Sequence, residues 1–244
     1  MDLKLKGKRA LVTGASKGIG KACAEVLEGE GCEVLIAARN PAPGPRAKAI
    51  DLSLRGAPEA LAAWAGEIDI LVNNAGAIPG GDLQKVDEET WRRAWDLKVF
   101  GYINLTRQVY ATMKRRGRGV ILNIIGSAGE KMDAAYIAGS TANAGLMAFT
   151  RALGGAAPAD GLRVLGINPG PVSTDRLVSL YKQRAETLLG DASRYQELFT
   201  GMAFGRPATP EEIAWAVAFL VSERAAYTSG CILTIDGGLT SRPH

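Results

Sequence analysis

A glycine-rich turn near the start of the chain constrains the fold more than any other feature. The segment Thr13-Gly14-Ala15-Ser16-Lys17-Gly18-Ile19-Gly20 follows an apolar run and opens a stretch with helical periodicity. A strand, a glycine-rich turn and a helix N-terminus in this order direct backbone N–H groups and the positive end of a helix dipole at a phosphate. The glycines permit a tight turn and close approach of the backbone to a ligand. The segment therefore predicts a dinucleotide-binding unit.

Apolar, strand-like runs alternate with helical patterns along the whole chain. The predicted strands are residues 8–13, 33–37, 68–73, 120–125, 163–167 and 232–235, with a weaker one at 47–50. The predicted helices are residues 19–28, 58–65, 88–116, 134–156 and 210–222. Strands that are apolar on both faces and alternate with helices form a parallel sheet covered on both sides. The sequence therefore predicts one α/β domain over residues 1–244, a Rossmann-like, doubly wound parallel sheet with helices on both faces.

Residues 174–206 are richer in polar and aromatic side chains than their surroundings and come just after a predicted strand. Ligands of such sheets bind at the carboxyl ends of the strands, so we interpret this region as a mobile substrate lid. Its side chains could favour an acidic or aromatic ligand, or they could form the solvated face of an amphipathic helix. They are Arg176, Tyr181, Lys182, Arg184, Arg194, Tyr195 and Phe199.

The charge pattern argues against nucleic-acid and membrane partners. The formal net charge is +4, and the one local basic cluster is Lys114-Arg115-Arg116 with Arg118. We interpret this cluster as a cationic helix C-terminus that complements the helix dipole. A nucleic-acid surface needs a broader basic stripe. No apolar run approaches the roughly 18 residues of a membrane span.

The histidine and cysteine content narrows the chemistry. The single histidine, His244, is the last residue, which argues against a Ser-His-Asp triad and a histidine-ligated metal site, so no metal is expected. The cysteines, Cys23, Cys32 and Cys231, lack metal-like spacing. We interpret them as buried thiols of a cytoplasmic protein.

Further motifs follow the glycine-rich turn in a fixed order. They are Asn73-Asn74-Ala75-Gly76 at the end of the fourth strand, Tyr136 at a helix start, Asn168-Pro169-Gly170-Pro171-Val172-Ser173-Thr174 after the sixth strand, and Asp236-Gly237-Gly238 after the last. Together these motifs resemble the short-chain dehydrogenase/reductase family over nearly the whole chain. The resemblance implies hydride transfer between a nicotinamide and an alcohol or carbonyl carbon of a small-molecule substrate. It also implies a homotetramer, which the long apolar faces of the helices at 88–116 and 134–156 favour.

The end of the second strand bears on the choice of cofactor. NAD enzymes of this kind place an acidic residue there, whereas this chain has Ala37-Ala38-Arg39, and Lys17 lies in the glycine-rich turn. Two cations without a carboxylate suit the 2′-phosphate of NADP, although both could instead be solvated surface charges. The resemblance implies that Asp51 and Leu52 flank the adenine. The remaining implied cofactor-binding residues are Gly14, Ser16, Lys17, Gly18, Ile19, Gly20, Arg39, Asn74, Ala75, Gly76, Pro169, Gly170, Val172 and Thr174.

The catalytic residues depart from the family pattern, which is Asn, Ser and a Tyr-x-x-x-Lys pair. Counted from Tyr136, Ser140 stands at the lysine position, and Lys98 stands where the family has asparagine. A free tyrosine with a pKa near 10 is a poor base at neutral pH. We therefore expect Lys98 to supply the missing ammonium beside Tyr136 and to contact the ribose. The alternatives are that Lys98 extends into solvent and that Tyr136 is a core aromatic residue.

Two alignments are possible for the catalytic serine of the family pattern. Direct alignment puts Gly126 at that position, and Ser127 comes one residue later, where strand alternation would point it to the other side. Gly126 could bend the chain and bring Ser127 to the substrate oxygen; otherwise Ser140 or a water could serve. Asn143 is interpreted as a polar residue at a helix interface.

The leading hypothesis is an NADP(H)-dependent oxidoreductase with Tyr136, Lys98 and Ser127 as catalytic residues. The rival from another class is a catalytically impaired NADP(H)-binding protein with a sensing or regulatory role, which the lack of a Tyr-x-x-x-Lys pair favours. A Rossmann-like enzyme of other chemistry, such as an epimerase, fits the Pro-Gly-Pro and Asp-Gly-Gly motifs less well.

Overall fold

Seven parallel strands form one sheet in the part of the chain that the structure describes, residues 1–242 of a computed structural model. His244, the single histidine of the sequence, lies outside the described residues. The strands are β1 (Arg9–Thr13), β2 (Glu33–Ala38), β3 (Ala47–Ala49), β4 (Ile70–Asn73), β5 (Gly119–Ile124), β6 (Leu162–Pro169) and β7 (Ile232–Ile235). Their order in the sheet is β3-β2-β1-β4-β5-β6-β7. The predicted doubly wound, Rossmann-like sheet is confirmed, including the weaker strand near residue 47.

Helices connect the strands, and three regions differ in detail from the sequence-based prediction. The helices are α1 (Gly18–Gly29), α2 (Ala57–Ala65), α3 (Glu88–Trp95), α4 (Gly101–Arg116), α5 (Ile137–Ala156), α6 (Asp175–Leu189) and α7 (Pro210–Val221). The predicted helix at 88–116 contains a π-helical turn at Asp96–Phe100, between α3 and α4. The helix predicted to start at residue 134 begins at Ile137, because Tyr136 is its N-cap residue with non-helical φ and ψ angles. The predicted lid contains α6, followed by 3-10 turns over Ala192–Gly201.

The apolar faces of the helices explain how the two layers cover the sheet. On one face, α1 and α7 pack against the strands through side chains such as Leu27 and Val217, which are fully buried. On the other face, Leu61 of α2 and Leu105 of α4 pack against the strands. Burying a side chain of this size stabilises the fold by about 1.5–3 kcal/mol. The sheet is therefore fixed rigidly between two helical layers, and its carboxyl edge can hold functional side chains in place.

A chain of buried polar side chains ties α4 and α5 to the centre of the sheet. The Asn73 amide donates to the Thr106 hydroxyl at 3.0 Å and to the Asn123 Oδ1 atom at 2.9 Å. The Asn123 amide donates in turn to the Thr150 hydroxyl at 2.9 Å. Buried hydrogen bonds of this kind have strict geometry, so they fix the rotation of both helices relative to β4 and β5.

The predicted basic cluster forms ion pairs, and the cysteines are free thiols. The basic cluster lies at the end of α4, where Arg116 pairs with Asp69 at 2.6 Å and Lys114 pairs with Asp160 at 2.9 Å. Cys23 and Cys32 are buried free thiols, as predicted, whereas Cys231 is only half-buried. Within residues 1–242, no helix has the length and apolar character needed to cross a membrane.

Candidate active site

The glycine-rich turn and the end of β4 form a tight cradle at the carboxyl edge of the sheet. A methyl group added at Gly20 would lie 2.4 Å from both the Asn74 Nδ2 atom and the Gly14 carbonyl oxygen. Gly14 has a φ angle of +67°, and a methyl group there would lie 2.9 Å from the Cα atom of Ala75. The Asn74 amide donates to the carbonyl oxygens of Thr13 and Gly14, which holds the turn against β4. Only glycine fits at these two positions.

A cleft of about 370 Å³ opens beside this cradle. Its lining includes most of the residues implied for cofactor binding: Gly14, Ser16, Lys17, Gly18, Ile19, Arg39, Leu52, Asn74, Ala75, Gly76 and Thr174. The N-terminus of α1 has no side-chain cap, so its first N–H groups are available to an anionic ligand. The observed cleft therefore fits a phosphate-bearing dinucleotide.

Besides Asp51, four implied cofactor-binding residues lie outside the lining of this cleft. Gly20 is buried inside α1 against Asn74. Pro169 ends β6, and Gly170 packs against Asp236, where an added methyl group would lie 2.7 Å from its Cβ atom. Val172 is a buried core residue. None of these four residues contributes to the lining of the cleft.

Arg39 and Asp51 are the residues that the sequence assigns to the adenosine half of the cofactor. Both line an adjoining cavity. Burial opposes ionisation of the Asp51 carboxyl, but hydrogen bonds from Ser53 and the charge of Arg39 leave its pKa below the ordinary value. A carboxylate is therefore present near Arg39, on the segment after β3 rather than at the end of β2.

Lys98 lies inside the protein, so the alternative in which it extends into solvent is wrong. Its relative exposure is 9 %, and its Nζ atom donates to the Asn143 Oδ1 atom at 2.8 Å and to the carbonyl oxygen of Ile125. Both acceptors are neutral. Burial, with the nearby charge of Arg176, lowers the pKa of the Lys98 ammonium to about 7. Lys98 can therefore gain and lose a proton near neutral pH.

Tyr136 lies at the start of α5 with its ring over Gly139. A methyl group added at Gly139 would lie 2.1 Å from both the Cε1 and Cζ atoms of the ring. Burial raises the pKa of the Tyr136 hydroxyl, and the charge of Arg176 and a hydrogen bond with it partly offset this rise. The cation that acts directly on Tyr136 is thus Arg176.

Arg176 reaches this site from the first turn of α6. Its guanidinium also donates to the carbonyl oxygen of Ile78, and it lines the cleft together with Thr174. The aromatic residues of the predicted lid pack on one another: Tyr181 and Tyr195 both make edge contacts with Phe199. Among the residues of the predicted lid, Arg176 is therefore the one that acts on Tyr136. Its position two residues after Thr174, a predicted cofactor-binding residue, was the sequence signal that could have identified it.

The two candidate serines have different surroundings. Gly126 has a φ angle of +139° and bends the chain at the end of β5, as the second alignment requires. Ser127 follows it at 9 % exposure and begins a 3-10 turn. The Ser140 hydroxyl, in contrast, exchanges hydrogen bonds with the backbone of Asp133. Ser140 therefore fixes the loop before Tyr136.

Sequence reasoning gave little weight to Asn143, which the structure shows to be a direct partner of Lys98. Asn143 is 2 % exposed and lies two helical turns after Tyr136. A polar side chain on the apolar face of a predicted helix was the signal that could have identified it. Among residues 1–242, no cluster of side chains has the composition of a metal site.

The fold and the cleft define a Rossmann-like, dinucleotide-binding protein, and comparison with known proteins identifies its family. Residues 14–240 match the family described as enoyl-(acyl carrier protein) reductase. The chain is 34 % identical to the 3-oxoacyl-[acyl-carrier-protein] reductase FabG of Vibrio cholerae, with 97 % of this chain and 99 % of the relative covered. It is 32 % identical to the cis-4-hydroxycyclohexanecarboxylate dehydrogenase of Sinomonas cyclohexanicum, over 95 % of this chain and 96 % of the relative.

A solved structure supports the same family. The L-sorbose reductase of Gluconobacter frateurii, determined in complex with NADPH and L-sorbose, superposes with a TM-score of 0.91 at 30 % identity and full coverage of both chains. The chain therefore belongs to the short-chain dehydrogenase/reductase family of NAD(P)-dependent oxidoreductases.

Proposed function

We propose that this protein is an NADP(H)-dependent oxidoreductase that interconverts a carbonyl compound and a secondary alcohol. The observation that carries the proposal is that the glycine-lined cleft borders Lys98 and Arg176. Gly76 lines the cleft, and a methyl group added there would lie 3.0 Å from the Cδ atom of Lys98. Arg176, whose charge lowers the pKa of Tyr136, lines the same cleft. The relatives named above act on ketoacyl, cyclic hydroxy-acid and ketose substrates, which supports a carbonyl or secondary alcohol as the reacting group.

The cleft supports NADP as the cofactor. The glycine-rich turn and the uncapped N-terminus of α1 would hold the diphosphate. Lys17 and Arg39, which line the same cleft, would bind the 2′-phosphate of the adenosine ribose. Thr174 and Gly76 would lie beside the nicotinamide half, whose bound ring donates or accepts the hydride.

Side chains of this protein would donate the proton that the carbonyl oxygen gains during reduction. During reduction, the Tyr136 hydroxyl donates its proton to the carbonyl oxygen as the new C–H bond forms, and the resulting tyrosinate regains a proton from solvent through Lys98. Ser127 would donate a hydrogen bond to the same oxygen. Arg176 would stabilise the tyrosinate, because its charge lowers the pKa of the Tyr136 hydroxyl. Positioned acid–base groups of this kind contribute about 10²–10⁴-fold to rate.

The test is a turnover screen with NADPH and three substrate types: a 3-oxoacyl thioester, a ketohexose and a cyclic ketone. Wild-type protein should oxidise NADPH with at least one type, and Tyr136→Phe should lose about 10²–10⁴-fold in turnover. Tyr136→Phe should still bind NADPH in a fluorescence titration. Full activity of Tyr136→Phe would contradict the assigned role of the tyrosine.

A second candidate function is NADP(H) binding without hydride transfer, for sensing or regulation. It is favoured by one observation, namely that Ser140 holds the loop before Tyr136 and supplies no cation. Tight NADPH binding with no turnover across the whole screen would favour this candidate over the enzyme.

The remaining proposals concern the predicted lid, the oligomeric state and the cellular location of the protein. We propose that residues 174–206 close over the substrate, and that the protein assembles as a homotetramer through α4 and α5. The free cysteines support a reducing, cytoplasmic location.

A further inference from the structure

Lys98 and Asn143 form a buried pair between two helices. Lys98 is at the π-helical turn before α4, Asn143 is on α5, and their side chains meet at 2.8 Å. The carbonyl oxygen of Ile125 is a second acceptor for the same ammonium. An ammonium group has three N–H donors, so two are used and one remains for a ligand or for water.

Each member of the pair passes over a glycine that makes room for it. A methyl group added at Gly76 would lie 3.0 Å from the Cδ atom of Lys98. A methyl group added at Gly126 would lie 2.9 Å from the Nδ2 atom of Asn143. Because both glycines lie at the carboxyl ends of neighbouring strands, the space for the pair is built into the edge of the sheet that borders the cleft.

The backbone at Lys98 is also specialised. The π-helical turn at Asp96–Phe100 interrupts an otherwise continuous α-helix, and Lys98 is its central residue. Such turns are rare and concentrate at functional sites, because the extra residue per turn changes the direction in which a side chain points. An ordinary surface lysine would not require this departure from α-helical geometry.

The spacing along α5 shows how the pair relates to Tyr136. The tyrosine ring covers Gly139, so it occupies the space that a side chain at residue 139 would fill. Asn143 stands four residues after Gly139, at the spacing of a Tyr-x-x-x-Lys pair. In space, therefore, the position that matches the lysine of such a pair is residue 143, and Ser140 is not that position.

We propose that Lys98 and Asn143 are an exchanged pair, in which the functional ammonium enters from the π-helical turn and Asn143 is the residue that positions it. The inference rests on the proposed function for its kinetic test only, since the geometry of the pair can be tested without a substrate. A neutral amide orients the ammonium through one hydrogen bond without cancelling its charge. A carboxylate at residue 143 would instead hold Lys98 as a permanent ion pair and would prevent proton exchange near neutral pH.

The experiment compares wild type with Asn143→Ala, Lys98→Asn and the double exchange Lys98→Asn with Asn143→Lys. Turnover is measured with NADPH and the best substrate of the screen above. The titration of Lys98 is measured without substrate, by NMR of protein with ¹³C-labelled lysine. Asn104→Ala is the matched control, because Asn104 lies on α4 and its side chain accepts a hydrogen bond from Arg107 at the surface.

We expect Asn143→Ala to lower kcat by at least about tenfold, to leave the KM for NADPH within about threefold, and to lower the Lys98 titration midpoint, because the charged form loses an acceptor. The double exchange should be at least about tenfold more active than Lys98→Asn, because an ammonium returns to the same place. Asn104→Ala should match wild type in every measurement. Asn143→Asp provides a folded alternative if Asn143→Ala unfolds, and it should raise the Lys98 midpoint.

Two results would overturn the inference. One is an unchanged Lys98 titration in both Asn143 variants, and the other is a double exchange no more active than Lys98→Asn. If wild type turns over none of the substrates while the Asn143 variants shift the Lys98 titration, the proposed function fails and the positioning role stands. If wild type is active and neither Asn143 variant changes kcat or the Lys98 titration, the positioning role alone fails.

Discussion

The ring of Tyr136 lies over Gly139, so closely that a methyl group at Gly139 would be 2.1 Å from the ring atoms Cε1 and Cζ. The glycine therefore determines where the tyrosine hydroxyl can lie. Gly76 and Gly126 bear the same relationship to Lys98 and Asn143. Three glycines thus shape the site by leaving room for three polar side chains.

Gly139→Ala should displace Tyr136 and impair turnover. Because misplacement of a catalytic group by about 1 Å can cost about 10²-fold in rate, we expect kcat to fall by about 10–100-fold while NADPH affinity changes by less than about threefold. The control is Gly145→Ala in the same helix, where nothing lies within 4 Å of an added methyl group. Equal activity of the two variants would mean that the ring position does not matter for the reaction.

Arg39→Ala should change cofactor preference. We expect wild type to bind NADPH at least about tenfold more tightly than NADH, a difference of about 1.4 kcal/mol, and the substitution to remove most of this preference by weakening NADPH alone. Calorimetric titration with both cofactors measures it. Arg46→Ala is the control, since Arg46 pairs with Glu28 away from the cleft lining. Tighter binding of NADH by wild type would refute the assignment.

Lys98 should make the free energy of unfolding depend on pH. Burial holds the pKa of the folded-state ammonium at about 7, against an ordinary value of 10.5. Above the lower value, the unfolded chain binds more protons, so stability rises with pH until the higher value is reached. From about pH 7 to about pH 9, wild type should gain about 2 kcal/mol more than Lys98→Met.

Urea unfolding at the two pH values measures this difference. Lys21→Met, which removes an exposed lysine of α1, should show the wild-type pH dependence. A parallel pH dependence of wild type and Lys98→Met would show that the Lys98 pKa is not lowered.

Arg176→Met should shift the pH profile of catalysis. The charge of Arg176 lowers the pKa of Tyr136, so removing it should raise that pKa and move the basic limb of the kcat profile to higher pH. Arg184→Met is the control, because Arg184 lies on the same helix and stacks on Tyr181. An unchanged basic limb in Arg176→Met would show that Arg176 does not influence the proton transfer.

Assembly through α4 and α5 predicts a tetramer, or at least a dimer, in light scattering at micromolar concentration. Phe100, the residue immediately before α4, is 49 % exposed, and Phe100→Asp should shift the population towards smaller species. Leu188→Asp, an exposed position on α6, should leave the mass unchanged. A monomer mass for wild type would contradict the assembly.

The sequence alone determined the sheet, its helical layers and the nucleotide cradle. Apolar periodicity and a glycine-rich turn are local signals, and each strand and helix is specified by neighbouring residues. The same locality explains why the predicted cleft residues from Gly14 to Gly76 are found together: they follow the carboxyl ends of adjacent parallel strands.

Only the tertiary structure decided the arrangement of the polar site. Lys98 and Asn143 are 45 residues apart, and their contact depends on a π-helical turn that no local pattern indicated. Counting along the chain from Tyr136 led to Ser140, whereas the ring reaches across one helical turn to Gly139 and brings Asn143 into the corresponding place. Arg176 joins them from the first turn of α6, which lines the cleft. Side-chain direction follows from backbone geometry and packing between distant elements, and sequence spacing alone does not fix it.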